Sequence, residues 1–121
     1  MKCSGNYEGN LPTIKIIREG TLLRIFFDYE DMSVTDEEEK MYICENVDVE
    51  GQSYAEIVSA LIRSRYGQDS VEAIMANYEI AKDNESNISD AKRAEYIEEY
   101  NDYQAFRIRM KEIANTVINQ L

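Results

Sequence analysis

SDAKRAEYIEEYNDYQAFRIRMKEIANTVINQL, residues 89–121, is the stretch whose reading decides the architecture of this chain. It holds neither glycine nor proline, the two residues that most readily interrupt a helix. Tyr96, Tyr100, Tyr103, Met110, Ala114, Val117 and Leu121 recur in an alternating four-three rhythm, broken once at Arg107. Ile97, Phe106 and Ile113 flank that stripe. Such spacing predicts one long, coiled-coil-like helix. Wound without a break it would reach roughly 48 Å, at about 1.5 Å per residue. A compact chain of this length is only about 35 Å across. The stripe is therefore expected to outrun its own domain and to need a partner. The expected interface comprises Tyr96, Tyr100, Tyr103, Phe106, Met110, Ile113, Val117 and Leu121. The rings of Tyr96, Tyr100 and Tyr103 either close over the domain's own sheet and first helices or form an intermolecular contact; both hold where Tyr96 to Phe106 turn inward and Met110 to Leu121 outward.

Charge divides along the same stretch. Residues 89–103 carry Asp90, Glu95, Glu98, Glu99 and Asp102 against Lys92 and Arg93, whereas 104–121 carry Arg107, Arg109 and Lys111 against Glu112. Acids near a helix start and bases near its end complement the macrodipole without any partner. The same division would suit an antiparallel second copy, which sets each acidic half against a basic one.

Upstream, Thr13 to Arg18, Thr21 to Asp28 and Met41 to Val49 read as three strands. Glu19-Gly20 supplies the turn between the first two, with glycine free to take a positive φ. In the third, Met41, Ile43, Val47 and Val49 share one face, and Tyr42, Cys44, Asn46 and Asp48 share a wet one. Ser53-Tyr54-Ala55-Glu56 is a capping box that opens a helix running to about Tyr66. Gly67 is expected to end that helix at positive φ. Asp69-Ser70-Val71-Glu72 is a second box-like start, buried through Val71, Ile74, Met75 and Tyr78. Strands followed by helices give an α+β fold: a three-stranded antiparallel meander, a helical pair and the long last helix. The organisation is a single domain, 1–121, with a loose N-terminal arm at 1–11, the meander at 12–50, the helical pair at 53–83 and the long helix at 89–121.

Thirteen basic residues against 24 acidic ones leave a net charge of −11. Such a surface repels nucleic-acid phosphates and anionic membranes, so neither is an expected direct partner. Histidine is absent, removing the commonest general base and a favoured metal ligand. Read as a calcium loop, Asp28 to Glu39 has Met32 at a ligand position and Ser33 at the obligatory glycine, which argues against calcium. The run Asp28, Glu30, Asp31, Asp36, Glu37, Glu38, Glu39 reads instead as a solvated connection that keeps a sheet edge from pairing with strangers. No catalytic, cofactor-binding or metal-ligating residue is assigned. Cys3 and Cys44 are expected to remain unpaired. No apolar stretch is long enough for a leader or a membrane span, so a cytoplasmic location is expected. The triplets Asn84-Glu85-Ser86 and Asn87-Ile88-Ser89 then match a glycosylation pattern by chance.

Val58-Ser59-Ala60-Leu61-Ile62-Arg63, then Tyr66-Gly67-Gln68-Asp69, Glu72-Ala73-Ile74 and Asn77-Tyr78, form one set of motifs. Together with Tyr103-Gln104-Ala105-Phe106-Arg107 and Lys111-Glu112-Ile113-Ala114, they resemble small uncharacterised proteins of phages and prophages of gut bacteria. The resemblance covers about residues 41–115; Gly67 departs from it, standing where a serine cap is expected. It implies a virion head or tail component, or an assembly factor, in the host cytoplasm or the virion. It supplies no catalytic residues.

The leading expectation is thus a non-enzymatic structural or assembly module that self-associates or docks on a larger particle through its C-terminal helix. A second reading is an acidic inhibitor that offers carboxylates to a nucleic-acid-binding protein in place of phosphates. A third is a cytosolic enzyme that works with carboxylates alone.

Overall fold

The computed structural model describes residues 1–34 and 40–121. Among the described residues the fold is α+β, with four antiparallel strands and three helices. The strands are β1 (Lys2–Tyr7), β2 (Ile14–Glu19), β3 (Leu22–Asp31) and β4 (Lys40–Glu50). The helices are α1 (Tyr54–Arg63), α2 (Gln68–Lys82) and α3 (Asp90–Gln120). Sheet order is β1-β4-β3-β2, with β1 and β2 at the edges. Three of these strands are the expected meander; the fourth is new.

That fourth strand corrects the loose arm expected over residues 1–11. Lys2 to Tyr7 pair with β4 in continuous register, Cys3 opposite Cys44 and Tyr7 opposite Lys40. The segment is nearly devoid of branched apolar residues, so its own pattern carries no strand signal. Main-chain pairing holds it instead, helped by Tyr7 against Tyr42, ring centroids 6.2 Å apart, and by Lys40 over the Tyr7 ring. Gly5 makes this approach feasible, since a Cβ there would lie 2.8 Å from the Tyr42 hydroxyl.

The core forms on one face of the sheet. Register places Ile25 between Ile16 and Val47, and Leu23 opposite Val49. Onto these residues and Phe27 pack Ile57 and Leu61 of α1 and Phe106, Met110, Ile113, Ala114 and Val117 of α3. Burying aliphatic and aromatic side chains of this size contributes about 1.5–3 kcal/mol each before entropy opposes it.

A bulge shapes the other face. Phe27 pairs with Glu45 and Glu30 with Ile43, so Asp28 and Tyr29 together oppose Cys44. Asp28 adopts φ 55, the left-handed region that a non-glycine residue enters at a cost. Its carboxylate pairs with Arg109 of α3, which ties the bulge to the helix layer. The extra residue flips the alternation and brings Tyr29 onto the outer face beside Tyr42, centroids 5.2 Å apart. The face expected to be wet is consequently dry at its centre: Cys44 is 2% exposed and Asn46 buried. Asn46 donates through Nδ2 to the Ile25 carbonyl, 3.3 Å, and so stays hydrogen-bonded.

Burial has chemical consequences there. It raises the Cys44 thiol pKa, reinforced by Cys3 and Glu45, and pushes Tyr29 up to about 12, with Cys44 and Tyr42 next in effect. Both cysteines are free thiols. Alkylation is expected to label half-buried Cys3 first and Cys44 only after denaturant is added, as peptide mass mapping would record. Tyr29 holds its proton to about 12 when folded, against 10.0 unperturbed. Between those values the unfolded chain binds fewer protons, so stability must fall as pH rises through the window. Urea midpoints collected across it should drop, and Tyr29→Phe should shrink the drop.

Helix ends follow side-chain chemistry in two of three cases. Ser53 accepts from the Glu56 amide, 3.2 Å, and Ser89 from the Lys92 amide, 3.1 Å. Gly67 departs from expectation: at φ −70 and ψ 165 it is extended and begins α2, while α1 already stops at Arg63. Glycine after a helical run signals a break without fixing which side of the break it serves. The Asp69 box is likewise not the start, because α2 begins at Gln68 with no side-chain cap.

Candidate functional site

The long helix is continuous over 31 residues, about 46 Å at 1.5 Å per residue, without a hinge. Its C-terminal half turns inward, opposite to the outward placement weighed for it. Met110, Ile113, Ala114 and Val117 are buried against the sheet, Met110 and Val117 at 0% exposure, and Leu121 packs at the edge of the same core. Tyr103 and Phe106 are also buried, whereas Tyr96 and Tyr100 are only half covered. Met110–Leu121 therefore belong to the chain's own interior and not to an outward stripe. Periodicity reveals which side of a helix is apolar; it does not reveal which end meets the sheet.

The first four turns of α3 run past the core and pair with α2. Among the described residues, α2 contributes nothing to the core cluster and buries only Ala81 fully. The pair is held by Tyr78 stacked on Tyr100, centroids 3.6 Å apart and 8° from parallel. Arg93 closes its far end: the guanidinium donates to the carbonyls of Ala81, Asp83 and Ser86, with the Asp83 contact at 3.0 Å. Those carbonyls belong to the frayed end of α2 and the turn after it, which Arg93 replaces water in satisfying. The result is a two-helix arm, 68–103, that projects from the sheet-and-helix body.

Charge segregates sharply on this frame. The arm carries ten acidic residues against three basic ones, a net of −7 out of the chain's −11. Its cations are already engaged: Lys82 with Glu79 at 3.1 Å, Lys92 with Glu95 at 3.4 Å, and Arg93 with main-chain carbonyls. At the arm's base the sign inverts. Residues 61–67 and 104–111, neither with an acidic residue, bring Arg63, Arg65, Arg107 and Arg109 together around Tyr66. Arg109 answers Asp28, but Arg63, Arg65 and Arg107 form no ion pair among the described residues.

Tyr66 stands at the centre of this basic waist. Its ring packs on Tyr103 (5.0 Å) and on Phe106 (5.3 Å), and it forms the wall between two concavities. On one side an open groove runs along α3 past Arg65, Asp102, Ala105, Phe106 and Arg109. It continues toward Ala73, Ile74 and Glu99 in one direction and toward Lys2, Asp28 and Glu45 in the other. On the other side is a cleft of about 270 Å³ lined by Ser59, Ile62, Arg63, Tyr66, Gln68, Val71, Tyr103 and Arg107. Carboxylates face the groove, and among the described residues none lines the cleft.

Sequence reading missed this waist because its two segments are about forty residues apart and each is a short basic run by itself. Asp36, Glu37, Glu38 and Glu39 of the acidic run lie outside the described residues. Asp31 at the run's start has a local role: it accepts from the Ser33 amide at 2.9 Å, and that turn lowers its pKa. Among the described residues, no group of three or more potential metal ligands occurs, and no helix is long and apolar enough to cross a membrane.

Comparison with known proteins brings no match: no family model fits the chain, and no curated protein or solved structure matches it.

Proposed function

We propose that the protein is a non-enzymatic structural or assembly module that works through protein–protein contacts, with the acidic α2–α3 arm as its docking element. The observation that carries this reading is the arm's −7 charge on a helix pair whose own cations are already engaged. Carboxylates held on a rigid helical hairpin attract a basic protein surface over distances near the Debye length, about 8–10 Å at ordinary ionic strength. The waist of a second copy is one such surface. Arm against waist is also the arrangement that an antiparallel pair of α3 helices would produce, which closes as a two-fold dimer with both arms and both waists used. A phage or prophage setting is supported by the resemblance over residues 41–115 alone.

The test is solution mass as a function of salt. Light scattering at low ionic strength should give a mass above the 14.0 kDa of one chain, returning to it as salt rises. Glu98→Lys with Asp102→Lys should lower the mass, as should Arg63→Glu with Arg65→Glu, and all four changes together should restore part of it. A chain that stays at 14.0 kDa throughout rules out homo-oligomeric assembly. The arm's charge also favours a second reading, in which it occupies the phosphate site of a nucleic-acid-binding protein. Competition separates the two: a mimic is displaced by duplex DNA, whereas an assembly contact is indifferent to it.

A further inference from the structure

We propose that the cleft between α1, the start of α2 and the middle of α3 is a binding site for a small organic anion, one carboxylate or phosphate head on a short apolar body. The site shares Arg63 and Arg107 with the basic waist, so the two readings are separated by working at high salt, where an arm-to-waist contact is released and a cleft ligand with an apolar body is still held. Three observations converge on it. Arg63 and Arg107 both line the cleft and neither has a carboxylate partner among the described residues, in a chain with nearly two acids per base. Such guanidiniums keep their donor forks available for a bidentate oxyanion. Arg107 uses Nη1 on the Gln104 side-chain oxygen at 2.8 Å and lies over the Tyr103 ring, which holds it in place and leaves its other nitrogens unused.

The remaining lining fits the same ligand. Ser59 offers a neutral donor, and Ile62, Val71 and the rings of Tyr66 and Tyr103 offer apolar wall. α2 begins beside the cleft after Gly67 without a side-chain cap, a helix start that favours an anion, with Asp69 of the same turn opposing it in sign and not lining the cleft. Glu72 sits nearby and accepts from Gln68 Nε2 at 3.3 Å; it does not line the cleft. Size then narrows the class. A volume of about 270 Å³ lies at the lower edge of small-molecule sites, which begin near 300 Å³, and is too small for a nucleotide. An acid with one ring or a short chain fills it.

The test uses benzoate, phenyl phosphate and inorganic phosphate as separate probes against the intact chain, followed by amide and side-chain NMR shifts. Benzoate or phenyl phosphate should give saturable shifts confined to Ser59–Arg63, Tyr66, Gln68–Val71 and Tyr103–Arg107, with inorganic phosphate at least about tenfold weaker because it leaves the apolar wall bare. Arg63→Gln should weaken binding about tenfold or more, the scale of one lost charged hydrogen bond. Because Arg63 is exposed, that variant keeps its fold, and unchanged shifts elsewhere would verify this. Arg18→Gln, on exposed β2, should bind as the parent does. Absence of saturable shifts with any probe overturns the proposal, as does equal binding by Arg63→Gln and the parent. Shifts scattered over all arginines, with inorganic phosphate as effective as the others, would mean only a diffuse counter-ion effect and would also overturn it.

Discussion

Val117→Asp should unfold the domain and leave no folded subunit whose oligomeric state could be measured. Val117 is 0% exposed, and it packs with Met110, Ala114 and the strand residues Leu23, Ile25 and Val49 in one cluster. A carboxylate placed there would have neither water nor a cation partner. Leaving one buried charge uncompensated costs about 3–5 kcal/mol, and lost packing adds to it. A domain of this size has about 5–15 kcal/mol in total, so most or all of its stability would go. Met110→Asp should behave alike. The matched control is Ile108→Asp on the same helix, 59% exposed, where a change within about 0.5 kcal/mol is expected. Urea denaturation followed by far-ultraviolet circular dichroism would distinguish the three. Had the stripe been an external seam, Val117→Asp would have lowered mass while preserving the fold.

Arg93→Ala should melt the arm and spare the body. Arg93 is the one side chain that gathers the carbonyls of Ala81, Asp83 and Ser86, closing the α2–α3 turn. Hydrogen bonds from a charged donor contribute about 1.5–3 kcal/mol; without Arg93 the Asp83 carbonyl keeps the Ser86 amide and hydroxyl, and the Ala81 and Ser86 carbonyls lose their side-chain donor. Beyond its base at Tyr103 the arm has little else to draw on: of the α2 residues only Ala81 is buried, with Tyr78 on Tyr100 as the main packed pair and Ser86 Oγ bonding the Ile80 and Asp83 carbonyls. Amide hydrogen exchange should quicken over roughly residues 68–100 by the factor matching that loss, while Leu23–Phe27 and Val47–Val49 stay protected. Equal acceleration in the sheet would mean that arm and body open as one unit.

These two results would probe what was and was not legible in the chain. The long helix, its start near Ser89, the capping box at Ser53 and the shared face of Val47 and Val49 follow from local pattern, whereas the consecutive apolar residues 22–23 and 25–27 leave the inward face of that strand open. Each depends on residues within a few positions of one another, so periodicity and capping chemistry suffice. β1 left no such trace because an edge strand can be held by main-chain pairing to β4 with small or polar side chains. The Asp28–Tyr29 bulge was hidden for a similar reason: one extra residue reverses which side chains face the core, and only the pairing register reports it. At Gly67 the residue was read correctly as a break and wrongly as the end of the preceding helix.

Composition and spacing alone established an acidic α+β chain with an unbroken rod at its C-terminal end, because helix continuity and charge are properties of neighbours along the backbone. Which half of that rod the sheet would cover was set by packing, since burying Met110 to Val117 removes the most apolar surface available to the sheet and leaves the acidic half solvated. The same folding step gathered Arg63, Arg65, Arg107 and Arg109 around Tyr66. Attraction and repulsion act through space, so a basic waist on a negatively charged chain exists only once distant segments have been brought together.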